Sequence, residues 1–362
     1  MLDFNDLLKF AVESGGSDLH LKVGSSPYVR IDGRLVPAPF GVITSELAEA
    51  IVQKILPAAR VEEFRATNEA DFGLSAGALG RFRVNVMRQR GNVGLTLRRV
   101  PTDIPSITSL ALPASVQRLS DEPRGLVLVT GPTGSGKTTT IAAMLDHINE
   151  TKPVNIVTIE DPIEVLHTDK RAIVSQREIG IDTLDYPSAM KHVLRQDPDI
   201  IFIGEMRDPD TVSAALAAAE TGHLVVSTLH TINAAETVNR IIDFFPAYQQ
   251  RQVRLSLAAS LCGIVSQRLL PKVGGLGRVA AVEVLVMTGR VFERMVDSES
   301  GDEIEEIIAE GDFYGMQTFD QALLALCKQG TVEMRDAIAV ASHPHDLRIA
   351  LQSAGLLSTS SA

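Results

Sequence analysis

Gly131-Pro132-Thr133-Gly134-Ser135-Gly136-Lys137-Thr138 constrains this chain more than any other stretch, because it fits GxxxxGK[ST] at every fixed position. An apolar run, LVLVT, precedes it, and TTTIAAMLDHI follows. A strand that ends in glycines and opens a helix turns successive backbone N–H groups inward. The result is an anion cradle at the positive end of a helix dipole. In such a cradle Lys137 reaches the β- and γ-phosphates, and Thr138, with Thr139 beside it, opens the helix. The Thr138 hydroxyl is placed to ligate Mg²⁺. The loop therefore predicts ATP and Mg²⁺ as cofactors.

The rest of the second half carries the matching architecture. Continuous apolar runs stand at LVLV (126–129), IVTI (156–159), IIFI (200–203) and LVVS (224–227), separated by helical stretches. That alternation is the mark of a parallel sheet wrapped by helices. The first hundred residues read differently. Phe4, Leu7, Leu8, Ala11 and Val12 keep helical spacing behind Asp3, and Gly15-Gly16 ends the helix. YVRI and RLV flank Asp32-Gly33, a hairpin signal, and a helix near 46–55 and a hairpin over 81–99 complete a small α+β unit. Prolines 101, 105 and 113 punctuate a segment poor in packing residues. The expected division is an N-terminal domain over 1–100, a linker over 101–113 and an α/β domain over 114–362, its STSSA end reading as a frayed tail.

Acids follow two of the apolar runs. DPDIIFIGE puts Glu205 just past a strand's carboxyl end, the edge where ligands sit in an open α/β sheet. A carboxylate there can orient the attacking water and approach the metal. TIEDPIE places Glu160, Asp161 and Glu164 past another strand, with Pro162 holding the turn out of helical geometry. TGHLVVSTLHT sets His223 and His230 at the two ends of a further strand, as candidates to sense phosphate or bridge subunits.

In RFRVNVMRQRGNVGLTLRR, Phe82, Val84, Val86, Val93, Leu95 and Leu97 share one face of a hairpin, leaving Arg81, Arg83, Thr96 and Arg98 on the other. A turn over Gln89 to Asn92 that pairs Arg88 with Val93 sets Arg83 directly opposite Arg98. Facing like charges repel, and an anion between them relieves the repulsion. The pair is thus a candidate for contact with ATP phosphate.

A net charge of −11 and the absence of tryptophan argue against a general nucleic-acid motor, which needs a basic channel and stacking aromatics. Cys262 and Cys327, each in a stretch that reads as helical, provide no CxxC metal pair. The N-terminus has neither the basic segment nor the apolar core of a signal peptide, and no apolar run is long enough to span a membrane. The expectation is a cytoplasmic protein. A small-molecule kinase is hard to reconcile with the arginine hairpin. An ATP-binding scaffold without turnover is a further alternative, which intact Lys137 and Glu205 speak against.

Read in order, GGSDLHL, GPTGSGKTTT, TIEDPIE, RQDPDIIFIGEMRD, AAETGHLVVSTLHT and QRLLPK resemble the blocks of the type IV pilus retraction (twitching motility) ATPases, within the secretion ATPase superfamily. The resemblance implies a PAS-like N-terminal domain and a RecA-like C-terminal domain with ATP between them. It further implies a homo-hexameric motor working on an inner-membrane platform protein, with an accessory or non-retraction pilus ATPase as the alternative. By the same resemblance Glu164 and its neighbours form an acidic box, Glu205 is the catalytic glutamate, His223 and His230 form a histidine box, and Arg83 and Arg98 are arginine fingers. The family's AIRNLIRE-type motif corresponds to VFERMVDS, residues 291–298, in altered form.

Overall fold

The computed structural model describes residues 3–31, 33–275, 277–297 and 303–357. Asp32 of the first hairpin signal, Ser298 of the VFERMVDS stretch and the STSSA end lie outside the described residues. The chain divides into two compact units. One comprises Met1–Asp103, Glu160–His167 and Gln176–Asp185; the other comprises Ile104–Ile159, Thr168–Ser175 and Tyr186–Ala362.

The first unit runs α1 (Phe4–Glu13), β1 (Asp18–Lys22), β2 (Tyr28–Ile31), β3 (Arg34–Pro37), α2 (Ser45–Ile55), α3 (Val61–Thr67), β4 (Glu69–Ser75), β5 (Arg81–Gln89) and β6 (Asn92–Arg99). Its antiparallel sheet has the order β3-β2-β1-β6-β5-β4. The N-cap of α1 is Asp3, which accepts from Asn5 N–H. The alternation read in the hairpin is realised. Phe82, Val84, Val86, Val93, Leu95 and Leu97 are all buried, packed with Leu7, Leu8 and Leu19. Arg83 pairs with Arg98 and Arg88 with Val93, the expected register. The turn is tighter than expected, since Gln89 pairs with Asn92. Arg90 (φ 50°) and Gly91 (φ 78°) take the left-handed conformations that match the strands' twist.

The second unit runs α4 (Ala114–Asp121), β7 (Gly125–Thr130), α5 (Lys137–Thr151), β8 (Asn155–Glu160), β9 (Ile173–Glu178), α6 (Tyr186–Val193), β10 (Ile200–Ile203), α7 (Pro209–Glu220), β11 (Leu224–Leu229), α8 (Ala234–Asp243), α9 (Ala247–Ser260), β12 (Leu261–Pro271), β13 (Arg278–Val286), α10 (Gly289–Val296), α11 (Glu303–Ala309), α12 (Phe319–Lys328), α13 (Met334–Val340) and α14 (Pro344–Ser353), with the last residue of β8 and the last three of β9 counted in the first unit. The sheet order is β13-β12-β7-β11-β10-β8-β9. Neighbours from β12 through β7, β11 and β10 to β8 run parallel, and β13 is antiparallel to β12. The α/β class with a mostly parallel sheet is therefore as expected. Every residue of β7, β10 and β11 is buried, which is why these strands read as unbroken apolar runs.

Three sequence expectations need correction. Cys262 lies in β12, not in a helix, because α9 ends at Ser260. The β-branched residues after Cys262 pair with β7, and Gly263 lets β13 approach: a Cβ there would lie 2.6 Å from Leu285 O. The 101–113 segment has no helix or strand, but Ile107 is buried in the second unit's core rather than lying free of packing. Residues 160–167 and 176–185, expected in the C-terminal domain, belong to the first unit, where Glu164 and Glu178 form ion pairs with Arg83 and Arg81. Among the described residues no helix is long and apolar enough to cross a membrane.

Candidate active site

The phosphate loop is shaped by its glycines. Gly131 has φ 142°, and a Cβ there would lie 2.5 Å from Gln267 O and 2.6 Å from Ser135 Oγ, so no side chain fits. Gly134 (φ 79°) and Gly136 (φ 96°) are left-handed. Pro132, Thr133 and Gly134 form the exposed crest of the loop, and Thr138 and Thr139 are exposed in the first turn of α5. Gly136 is the N-cap of α5 and offers no side-chain cap, and the helix's positive dipole end faces the loop. Ser135 Oγ is buried without a hydrogen-bond partner among the described residues. A buried unpartnered hydroxyl at the positive end of a helix dipole fits a phosphate chain.

Lys137 is folded back on this loop. Its ammonium donates to Gly131 O at 2.6 Å and Pro132 O at 3.1 Å, and lies 3.4 Å from His230 Nδ1. His230 follows β11, whose carboxyl end is aligned with that of β7 by the pairing of Leu229 with Thr130. Its Nε2 is 3.3 Å from Glu205 Oε1. With the ammonium at Nδ1, the ring proton belongs on Nε2, facing the carboxylate. Glu205 itself is placed by Gly204, whose N–H donates to Ile159 O at 2.8 Å and whose carbonyl accepts from Thr228 Oγ1 at 2.6 Å. Arg207 Nη2 closes on Glu205 Oε2 at 2.7 Å. Lys137, His230 and Glu205 thus form one chain of polar contacts along the carboxyl edge of the sheet. Such a line can hold phosphate at one end and orient water at the other.

His223 is not brought to that edge. It precedes β11, with Nδ1 2.9 Å from Ala218 O and its own carbonyl accepting from Gly125 N–H at the start of β7. The length of β11, about 20 Å at the usual rise per residue, separates the two histidines within this chain. Of the two histidines, His230 is the one that stands beside Lys137 and Glu205.

In the first unit the arginines meet carboxylates. Arg83 Nη1 is 2.8 Å from Glu164 Oε1, with both side chains about two-fifths exposed. Arg98 Nε is 2.7 Å from Asp18 Oδ1, across the β1–β6 register that pairs the two residues. Burial raises the Asp18 carboxyl, but hydrogen bonds from Arg98 and Ser17 and the charge of Arg98 bring it below its ordinary value. The repulsion between facing arginines is thus relieved by protein carboxylates. Glu160, almost fully buried, accepts from Gln176 Nε2 at 3.0 Å, and the Asp161–Pro162 peptide is cis.

Sequence reasoning passed over Asp18, Arg207 and Glu178. Asp18 stands in the quoted GGSDLHL stretch, yet nothing local shows that it faces Arg98. Glu178 is a single acid in a polar strand, and only the fold reveals its partners.

Residues 3–330 match the family described as Type II/IV secretion system protein. The type IV pilus retraction ATPase PilT of Pseudomonas aeruginosa is 41% identical over 345 residues, covering 95% of this chain and 100% of that protein. The type IV pilus ATPase PilU of the same organism is 40% identical over 351 residues, covering 97% of this chain and 92% of that protein. A crystal structure of the pilus retraction motor PilT with bound ADP matches with a TM-score of 0.87 at 43% identity, covering 96% of this chain and 100% of that one.

Proposed function

The chain belongs to the type II/IV secretion system protein family, and we propose that it is a motor ATPase that powers type IV pilus retraction. The observation that carries this reading is the line from the phosphate loop through Lys137 and His230 to Glu205, at the carboxyl edge of a parallel sheet. The loop backbone, Ser135 and Lys137 hold the phosphates of ATP. The Thr138 hydroxyl and the Glu205 carboxylate are the groups that would hold Mg²⁺, which neutralises phosphate charge when bound. Glu205 orients the attacking water, and His230 fixes the carboxylate on one side while Arg207 does so on the other. Arg83 and Arg98 supply positive charge to the γ-phosphate, exchanging Glu164 and Asp18 for it. Glu160 and Glu164 line the acidic segment that accompanies them. His223 is left to contacts outside this edge of its own chain.

The assembly proposed is a homo-hexamer in the cytoplasm, held at the inner face of the membrane through a platform protein of the pilus machinery. Support for this part of the reading comes from 41% identity to PilT over 95% of this chain. Nearly equal identity to PilU, described only as a type IV pilus ATPase, keeps one second reading, an accessory or non-retraction pilus ATPase. Residues of the VFERMVDS stretch form α10, with Val291 and Met295 buried and Phe292 partly exposed.

The test is the ATPase rate of size-fractionated protein beside Glu205→Gln. Turnover confined to a hexamer fraction, and lost by about 100-fold or more in the variant, is the expected result. Robust turnover by monomers would overturn the ring. ATP binding without turnover in any fraction would replace the motor with a scaffold.

A further inference from the structure

Glu178 is 2% exposed, and nothing in the proposed chemistry uses it. Its carboxylate gathers donors from three separate stretches of the first unit. Arg81 Nη2 on β5 lies 2.7 Å from Oε2, Gly73 N–H on β4 lies 3.0 Å from Oε1, and Ile163 N–H of the acidic turn lies 3.1 Å from Oε2. The Arg81 side chain is itself 14% exposed, so the ion pair is largely withdrawn from water. The approach depends on Gly73, where a Cβ would lie 2.3 Å from Arg81 Nη2 and 2.8 Å from Glu178 Oε1. Beside the carboxylate, Ile179 N–H donates to Glu160 O at 2.8 Å.

Each donor sits next to a group assigned to catalysis, and Gly73 pairs with Arg83 across the β4–β5 register. Arg81 is two residues from Arg83 on the same strand face, and Ile163 precedes Glu164. The two ion pairs differ in kind. Arg83–Glu164 is open to water and can exchange partners, whereas removing one member of Arg81–Glu178 leaves a buried charge unpaired. Resting on the motor reading above, we propose that Glu178 is a positioning residue. It clamps the acidic segment to the arginine hairpin, so that Arg83 can leave Glu164 for phosphate while both elements stay in register and move as one body. Its partner in the clamp is Arg81, and Gly73 is the backbone position that admits it.

The experiment compares Glu178→Ala and the milder Glu178→Gln in the full chain, by ATP affinity, by turnover at saturating ATP, and by hydrogen exchange over 160–167 and 176–185. A misplaced catalytic group lowers turnover by roughly 10- to 100-fold. The expected result is such a loss in Glu178→Ala with ATP affinity within about twofold, a smaller loss in Glu178→Gln, and faster exchange in both segments while residues 131–140 exchange as before. Adding Arg81→Ala to Glu178→Ala should cost little more, because both break one clamp. Unchanged turnover and unchanged exchange in Glu178→Gln and Glu178→Ala would overturn the clamp. Should Glu178→Ala fail to fold, Glu178→Gln decides by the same readouts. A wild-type chain that binds ATP without turnover would sink the motor reading, and exchange over 160–167 would still decide the clamp.

Discussion

At the carboxyl edge of the seven-stranded sheet, charge is held by backbone. Lys137 rests on two loop carbonyls five and six residues away in sequence. In the first unit, Arg81, Arg83 and Arg98 are held by carboxylates 97, 81 and 80 residues away. A backbone-held cation stays where the loop geometry puts it. A carboxylate-held arginine is poised against an alternative anion, and its release depends on how deeply the pair is buried. The first region thus suits binding, and the second suits responding to what is bound.

The sharpest way to break this comparison is Arg98→Ala. If the arginines respond to the γ-phosphate, the variant keeps ATP affinity and loses about 10³- to 10⁵-fold in turnover, the range for arginine fingers. Steady-state turnover beside equilibrium binding of ATP measures both. Wild-type turnover would return Arg98 to a structural partner of Asp18.

Legibility in the sequence followed the same divide. The phosphate loop could be read because its geometry is local: Gly131, Gly134 and Gly136 sit at backbone positions that demand glycine, and β7 needed only an apolar run. The hairpin register could be read because period-2 alternation fixed which face each residue takes, so Arg83 opposite Arg98 followed. The anions that meet those arginines could not be read, since Asp18 and Glu164 arrive through sheet pairing and a chain excursion that no local pattern encodes. Nor could β12 be separated from α9, because the apolar residues of SLAASLCGIV suit either conformation until β7 and β13 offer hydrogen bonds. His223 and His230 looked equivalent because strand direction, which puts only one of them beside Lys137, is a property of the sheet.

A second prediction compares ion pairs by burial. Arg81→Ala leaves Glu178 buried without its guanidinium and should cost about 3–5 kcal/mol of stability. Arg65→Ala breaks a pair with Glu62 whose side chains are 71% and 82% exposed, and should cost no more than about 0.5 kcal/mol. Urea unfolding of the two variants beside the wild type reads the difference. Equal midpoints would mean that Arg81–Glu178 is no stronger than a surface pair.

The smallest of the three effects concerns a buried carboxylate in the second unit. Glu283 on β13 is 3% exposed and accepts from Ala234 N–H at 2.7 Å, at the start of α8. Burial pushes its carboxyl up to about 7, Glu305 and Asp320 adding to the rise while the Ala234 N–H and Arg268 oppose it. The folded-state value lies above the unfolded one, so its contribution is fully present below the unfolded value of 4.5 and is lost as pH rises through about 7. On that account wild-type stability should fall by about 3 kcal/mol between acid and alkaline conditions through this residue. Glu283→Gln keeps an acceptor for Ala234 N–H and cannot ionise, so its stability should stay flatter between about pH 5 and 8. If Glu283→Gln shows the same pH dependence of stability as the wild type, the raised carboxyl of Glu283 does not shape that profile.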